Sequence, residues 1–302
     1  MSIIYQTKVS AKNHHLRSRW AIFIWERHNP FINVAFSILF FLAHFFVFGK
    51  AEFAILSYKF VALLIGVIIF LFKLRLFDEI KDFEHDAIAY PHRPLVRGAI
   101  LHPDIYQGIA LCTLLEFLTF GLFGWLGLIS ITIADTYAFL MFKEFFVRKW
   151  IRPKLILYAV THTFVIPLLS LAIISVLSSK PILSLGQEVY IFAAINWLLF
   201  NVYEFGRKSF IEKEENQKAD SYSKNYGRAV ASVLVGSNGI LAILLANKIG
   251  LNEHPLLIVG GVLVFLSILF TVFNRQPFGK LFRMWCFFFI ITFYLVSIIN
   301  HL

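Results

Sequence analysis

Residues 53–98 read FAILSYKFVALLIGVIIFLFKLRLFDEIKDFEHDAIAYPHRPLVRG, and they pose the problem of the whole chain. Twenty residues suited to hydrocarbon (53–72) run straight into Asp78, Glu79, Asp82, Glu84 and Asp86. The apolar part is long enough to cross a bilayer, which takes about 20 mostly apolar residues. A spanning segment must satisfy its own backbone hydrogen bonds, so it is a helix, and that helix can continue into the interface. If residues 75–88 continue it, Asp78, Asp82 and Asp86 stand at i, i+4 and i+8 on one face with Glu79 beside them. Like charges at that spacing repel. A divalent cation offsets the repulsion, and Mg²⁺ suits oxygen ligands, retained waters and a phosphate-bearing substrate. Arg93 and Arg97 follow at once, as cations able to hold phosphate oxygens. The bland alternative is a solvated helix end balanced by Arg75, Lys81 and Arg93.

The rest of the chain is of the same kind. It has 302 residues, 59% hydrophobic and 15% charged, with 35 Phe and a mean hydropathy of +0.73. A water-soluble domain needs more polar surface than this. Nine apolar runs are expected as spans: 31–48, 53–72, 103–120, 122–142, 155–177, 188–203, 229–247, 255–273 and 284–300. The third and fourth are separated only by the glycines of FGLFGW. The expected fold is an all-α, polytopic membrane protein with nine transmembrane helices around a central cavity. It forms a single membrane domain (1–302), with a cytoplasmic leader (1–30) and acidic loops at 73–102 and 204–228. Cys112 and Cys286 lie alone in apolar runs and suggest neither a metal knuckle nor a redox pair.

Basic residues orient the spans. Of the 28 Lys and Arg, all but Lys50, Lys59, Lys180 and Lys248 fall in the leader and in the loops after spans two, four, six and eight. Cytoplasmic loops carry the Lys/Arg excess. The N-terminus is therefore expected in the cytoplasm, in an integral, multi-pass protein of the cell inner membrane. The net charge of +10 belongs to these loops, so a nucleic-acid partner has no support.

A second acidic loop, NVYEFGRKSFIEKEENQKADSYSKNYG (201–227), repeats the chemistry of the first. Glu204, Glu212 and Glu215 would lie near one helical face, with Tyr203, Arg207 and Lys208 among them. The two loops resemble the signatures of the UbiA superfamily of intramembrane prenyltransferases. In the first, Asp78 stands for the Asn and Glu79 for the first Asp of NDxxDxxxD, Asp82 and Asp86 match the next two, and Arg93-Pro94-Leu95 match RPL. In the second, DxxDxxxD, Glu204 matches the first Asp, Arg207 replaces the second, Glu212 sits one residue past the third, and Gly227 matches the closing Gly. The nine-span, N-inside arrangement agrees.

The resemblance implies Mg²⁺-dependent transfer of a prenyl group from a polyprenyl diphosphate to a hydrophobic or aromatic acceptor, or a lipid, within the membrane. It makes Asp78, Glu79, Asp82, Asp86, Glu204 and Glu212 metal ligands, and Arg93 a diphosphate clamp. Lys143 and Arg148, in MFKEFFVRKWIRP (141–153), become candidate diphosphate contacts, against the alternative that they only obey the positive-inside rule. Asn33, Tyr203, Arg207 and Lys208 complete the expected substrate-side residues. Arg207 and Lys208 depart from the pattern: a cation there can replace one Mg²⁺ and touch the diphosphate, serve another donor, or mark lost chemistry. Arg27 reads more readily as a topology anchor. Polar residues within spans (Asn33, His44, Glu116, Asp135, His162, Asn196, Asn238) are costly in hydrocarbon and are functional or interhelical; Glu116 and Asp135 are left out of the site. Two other readings stay open. One is a transferase of similar fold using another donor, such as a sugar diphosphate. The other is a small transporter, which would need ionisable residues deep in several spans. The DGxxAR…GxxxDxxxD spacing of CDP-alcohol phosphotransferases is absent.

Overall fold

Hydrocarbon offers the backbone no partner, and the long apolar runs are helical wherever they can be followed. The computed structural model describes residues 16–49, 54–251 and 253–302. The N-terminal half of the leader, Lys50 and Phe53, the first residue of the expected second span, lie outside the described residues. In order come α1 (Leu16–Arg27), α2 (Pro30–Phe48), α3 (Tyr58–Lys81), α4 (Phe83–Ala89), α5 (His102–Gly121), α6 (Gly124–Phe142) and α7 (Arg148–Ile151). Then follow α8 (Leu155–Thr163), α9 (Val165–Ser178), α10 (Gln187–Arg207), α11 (Tyr222–Tyr226), α12 (Arg228–Lys248), α13 (Glu253–Val272) and α14 (Gln276–Ile299).

Among the described residues, eight helices are long and apolar enough to cross a membrane, with α8 and α9 together making one of them. The protein is an integral, multi-pass membrane protein. The expected third span is also a helix, α5, 20 residues long. It is less apolar than the others because Asp104 and Glu116 interrupt it, and both are buried. Side chains such as Ile65, Leu111, Leu118, Ile129, Val233 and Ile268 are exposed on the helix surfaces. Lipid, as apolar as they are, accepts them without cost.

The described residues form two compact units, one of residues up to Ile38 with Ile55–Gly124 and one of Leu39–Ala54 with Trp125–Leu302. In the first, α3 packs along α5. Lys73, expected among the loop cations, is instead fully buried in α3 and paired with Glu116 of α5. A charge in hydrocarbon is tolerable only with such a partner. The leader is not mere loop either: α1 buries Phe23 completely and sets Trp20 edge-on to it at 5.7 Å. In the second unit α10 is central, packing on α8, α9, α12 and α14.

Two sequence expectations shift for local reasons, and a third holds. The fifth span bends between α8 and α9, at Phe164 (φ −65°, ψ −12°). Pro167 explains it, since its ring clashes with the carbonyl four residues earlier, that of Thr163. The join of the third and fourth spans falls at the predicted glycines, where Gly124 takes φ +67°. Most of the expected loop 274–283 is the start of α14, so Arg283 sits on a helix.

Candidate active site

The first acidic motif begins where α3 ends. Ser57 caps the other end of this 24-residue helix by accepting from the Phe60 amide. At Asp82 the backbone leaves helical geometry (φ −92°, ψ 2°) before α4 resumes. The i→i−4 bonding survives the break: the Asp82 amide donates to Asp78 O at 2.9 Å and the Asp86 amide to Asp82 O at 2.8 Å. Asp78, Asp82 and Asp86 therefore keep their successive-turn spacing.

Their side chains have different partners. Glu79 is buried and turns inward, accepting from Arg27 Nε at 2.8 Å and from Arg75. Arg27 is thus not simply a topology anchor, because it neutralises a buried carboxylate from the preceding helix. Asp86, also buried, accepts from Arg93, whose guanidinium lies 4.1 Å over the Tyr90 ring. Asp78 is half-exposed and takes Lys81 Nζ at 2.8 Å. Asp82 is half-exposed too. Arg97 makes a forked pair with Glu26 at 2.6 and 2.8 Å. The Arg97 hydrogen bond, with its positive charge, holds the Glu26 carboxyl below the usual range. Burial, reinforced by the Arg75 charge, pulls His28 down to about 4.

The second motif lies at the end of α10. Glu204 is largely buried and binds two cations of its own segment. Arg207 donates from Nε at 2.7 Å and Nη2 at 2.5 Å, and Lys208 from Nζ at 2.7 Å. Arg207 also lies 5.9 Å over the Tyr203 ring. The helix stops at Arg207, so Glu204, Glu212 and Glu215 do not share the helical face expected of them. Glu212 is exposed in the separate 3₁₀ turn Glu212–Glu214. Glu215 accepts from Ser221 at 2.8 Å and Ser223 at 2.6 Å, stapling the loop shut. Arg283 of α14 grips the same loop through Glu214 at 2.7 Å and Ser209 O at 3.2 Å. The loop closes where the Tyr222 amide donates to Lys208 O at 3.0 Å. It ends on Gly227, whose φ of +84° L side chains rarely adopt.

The basic segment after α6 has a tight turn. Glu144, Phe145 and Phe146 have φ of +50°, +53° and +60°. Each costs about 1–2 kcal/mol for a residue with a Cβ, and such a turn persists only where its surroundings hold it. The buried Glu144 does so, taking Arg148 at 3.0 Å, Arg152 at 2.6 Å and the Tyr158 hydroxyl at 3.3 Å. Arg148, expected at a diphosphate, is a partner of Glu144 here, and Lys143 is exposed over the Phe142 ring at 5.0 Å.

Most of the intramembrane polar residues join helices. Asn196 accepts from the Tyr294 hydroxyl at 2.7 Å, and Asn238 accepts from Asn201 at 3.2 Å. Trp197 Nε1 donates to Val160 O at 3.0 Å. His44 meets the Phe40 carbonyl of its own helix at 2.7 Å, and Asn33 donates to Asn29 O at 2.9 Å. Asn201, Tyr222 and Arg283 are not singled out by the sequence. Only an alternation of charge between residues 204–215 and Arg283 could have pointed to any of them.

Among the described residues, no three His, Cys, Asp or Glu side chains gather as a metal-binding group. The first motif nevertheless suits Mg²⁺ by its donors. Two half-exposed carboxylates, Asp78 and Asp82, stand one turn apart, and one or two carboxylates completed by water and substrate oxygens are what Mg²⁺ commonly takes. The second motif does not suit it, because both oxygens of Glu204 already carry cations.

No family model and no curated protein sequence matches the chain. Solved structures do. One is a digeranylgeranylglyceryl phosphate synthase, studied for its action in membranes; it is 17% identical, with a TM-score of 0.62 over 94% of this chain and 98% of that one. Another is the apo structure of a UbiA homolog from Aeropyrum pernix K1, 14% identical, with a TM-score of 0.60 over 89% and 98% of the two chains. The chain has the UbiA fold.

Proposed function

We propose that the chain is an intramembrane prenyltransferase: it transfers a prenyl group from a polyprenyl diphosphate to a hydrophobic, aromatic or lipid acceptor, with Mg²⁺ held at the first acidic motif. The observation that carries this is the half-exposed pair Asp78 and Asp82 at the end of an apolar helix, in a chain of UbiA fold. Asp82 is the principal ligand in this reading and Asp78 the second. Bound there, Mg²⁺ neutralises the charge that builds on the diphosphate as the allylic C–O bond breaks.

The chain's own residues do the rest. Arg93, stacked on Tyr90 and paired with Asp86, presents its remaining donors to the diphosphate oxygens. Glu79, saturated by Arg27 and Arg75, and Asp86, held by Arg93, make the segment rigid rather than ligating strongly. Apolar helices keep water from the allylic cation, which it would otherwise trap, and aromatic faces favour its charge. The diphosphate departs with the C–O bonding pair, the acceptor bonds to the cationic carbon so formed, and the proton that the acceptor loses passes to the departed diphosphate. The same reading puts the N-terminus and both acidic loops on the cytoplasmic side, following the Lys/Arg bias.

The test is to incubate the purified full chain with Mg²⁺, labelled prenyl diphosphates of several lengths and membrane extract, then weigh the labelled product. A labelled lipid-soluble product that disappears on chelation is the expected result. No product with any prenyl donor would overturn the assignment.

A further inference from the structure

Packed helices fill the space between them, because a gap deprives the lining atoms of van der Waals partners. Between α12 and α13, both in the second unit, the surface is hollow. A groove of about 460 Å³ runs between Ala229, Ser232, Gly236 and Ile240 of one helix and Val264 and Ile268 of the other. That volume lies in the range of ligand pockets, about 300–1,000 Å³. Gly236 forms the floor: it is buried, yet a Cβ added there would have nothing within 4 Å. The hydroxyls of the walls are already used. Thr271 donates to Ser232 Oγ at 2.8 Å and Ser232 to Ser267 O at 3.0 Å, which ties the helices together and leaves the groove an apolar face. Val233, Ile240, Ile268 and Val272 are exposed along it, so it opens toward lipid.

Length and charge decide what fits. From Ala229 to Ile240 the groove follows about 16 Å of helix axis. A hydrocarbon core is about 30 Å thick, so the groove has the depth of one leaflet and then stops. A helix of a second copy would cross both leaflets; a lipid tail occupies one. At the Ala229 end stands Arg228, half-buried. It donates from one N–H to Phe270 O of α13 at 3.0 Å, and among the described residues no carboxylate pairs with it. Arg27, Arg93, Arg152 and Arg283, by contrast, each hold one. A guanidinium carries five N–H donors in a fork that suits phosphate oxygens. Basic positions between spanning helices on the cytoplasmic side, where the Lys/Arg bias puts this end of α12, take anionic headgroups.

We infer that the groove between α12 and α13 binds an anionic phospholipid of the surrounding bilayer, with one acyl tail lying over Gly236 and the headgroup phosphate on Arg228. The tail gives the lining atoms the contacts that the hollow denies them, and the phosphate supplies the counter-charge that Arg228 lacks within the described residues. The site is separate from the transferase reading, in which neither residue takes part.

The test places the purified full chain in vesicles of equal parts phosphatidylglycerol and phosphatidylcholine. A trace of one lipid or the other carries a photoreactive diazirine on its tail, and the adducts are mapped by mass spectrometry. The phosphatidylglycerol probe is expected to label residues 229–240 and 264–272 about fivefold more than the phosphatidylcholine probe, the preference that one cation near the headgroups supplies. Arg228→Gln should abolish that preference. Gly236→Leu puts a side chain into open space and favours the helix; it should remove labelling of the groove by both probes and leave that of other helices unchanged. Should either variant fail to fold, the other decides. Equal labelling by the two probes in the unmutated chain, groove labelling that survives Gly236→Leu, or cross-links joining the α12 helices of two copies in place of lipid adducts would overturn the inference. Prenyl transfer is measured separately, so its absence would sink the transferase reading and leave the lipid site standing.

Discussion

The ends of α3 and α10 look alike in composition and behave as opposites. Each is an apolar helix of more than 20 residues that runs into an acidic segment. On a helix the neighbours of residue i are i+3 and i+4. For Asp78 these are Lys81 and Asp82; for Glu204 they are Arg207 and Lys208. One end therefore places a second carboxylate one turn on, and the other surrounds its carboxylate with cations. Motif spacing is shared, but the residue types one turn ahead reverse the sign of the site. The loops beyond differ too. The first continues as a helix, α4, with Asp86 clamped by Arg93; the second turns back on itself, stapled by Glu215 and gripped by Arg283.

The contrast can be broken at several points. The largest effect is expected at Asp82: replacement by Ala should cut labelled product about 10³-fold or more, about 4 kcal/mol of transition-state stabilisation, while the melting temperature in detergent stays near that of the unmutated chain. Equal activity in the variant would remove the distinction between the two ends. Next, Arg93→Ala strands the buried Asp86, and losing one partner of such a pair costs about 3 kcal/mol. Thermal unfolding should show this directly, and Arg93→Ala/Asp86→Ala should recover part of it. Then comes Glu215→Gln, which weakens two charge-assisted hydrogen bonds to Ser221 and Ser223, each worth about 1.5–3 kcal/mol at most. The expected readout is faster protease cleavage within residues 209–221, with little change at the first motif.

The smallest effect sharpens the comparison from the first unit's side. His28 is held neutral, with its pKa brought from 6.5 to about 4. Below pH 6.5 the unfolded chain takes up a proton that the folded chain refuses, so stability is lost as pH falls through that window toward 4. A melting curve followed from neutral pH to about pH 5 should drop by a few degrees, and His28→Gln should flatten that drop. A slope unchanged in the variant would mean that other groups set the acid response.

How far the chain could be read without its structure depended on the distance over which each cause acts. Membrane insertion is a sum over consecutive residues, so the helices, their number within one, the glycine join at Gly124 and the all-α class follow from composition and run length. The Asp78–Asp82–Asp86 register follows from helix period and survived even a break at Asp82. What failed were features that depend on a partner distant in sequence. Lys73 read as a loop anchor because nothing near it announces Glu116, 43 residues on. Arg27 read as an anchor because Glu79 lies 52 residues away, and Glu215 read as sharing one helical face with Glu204 because Ser221 and Ser223 reach it only once the loop folds back. Hydropathy and periodicity are local sums and sequence reports them faithfully. Which cation neutralises which carboxylate is a pairwise matter of a few ångströms, and only the folded chain sets those distances.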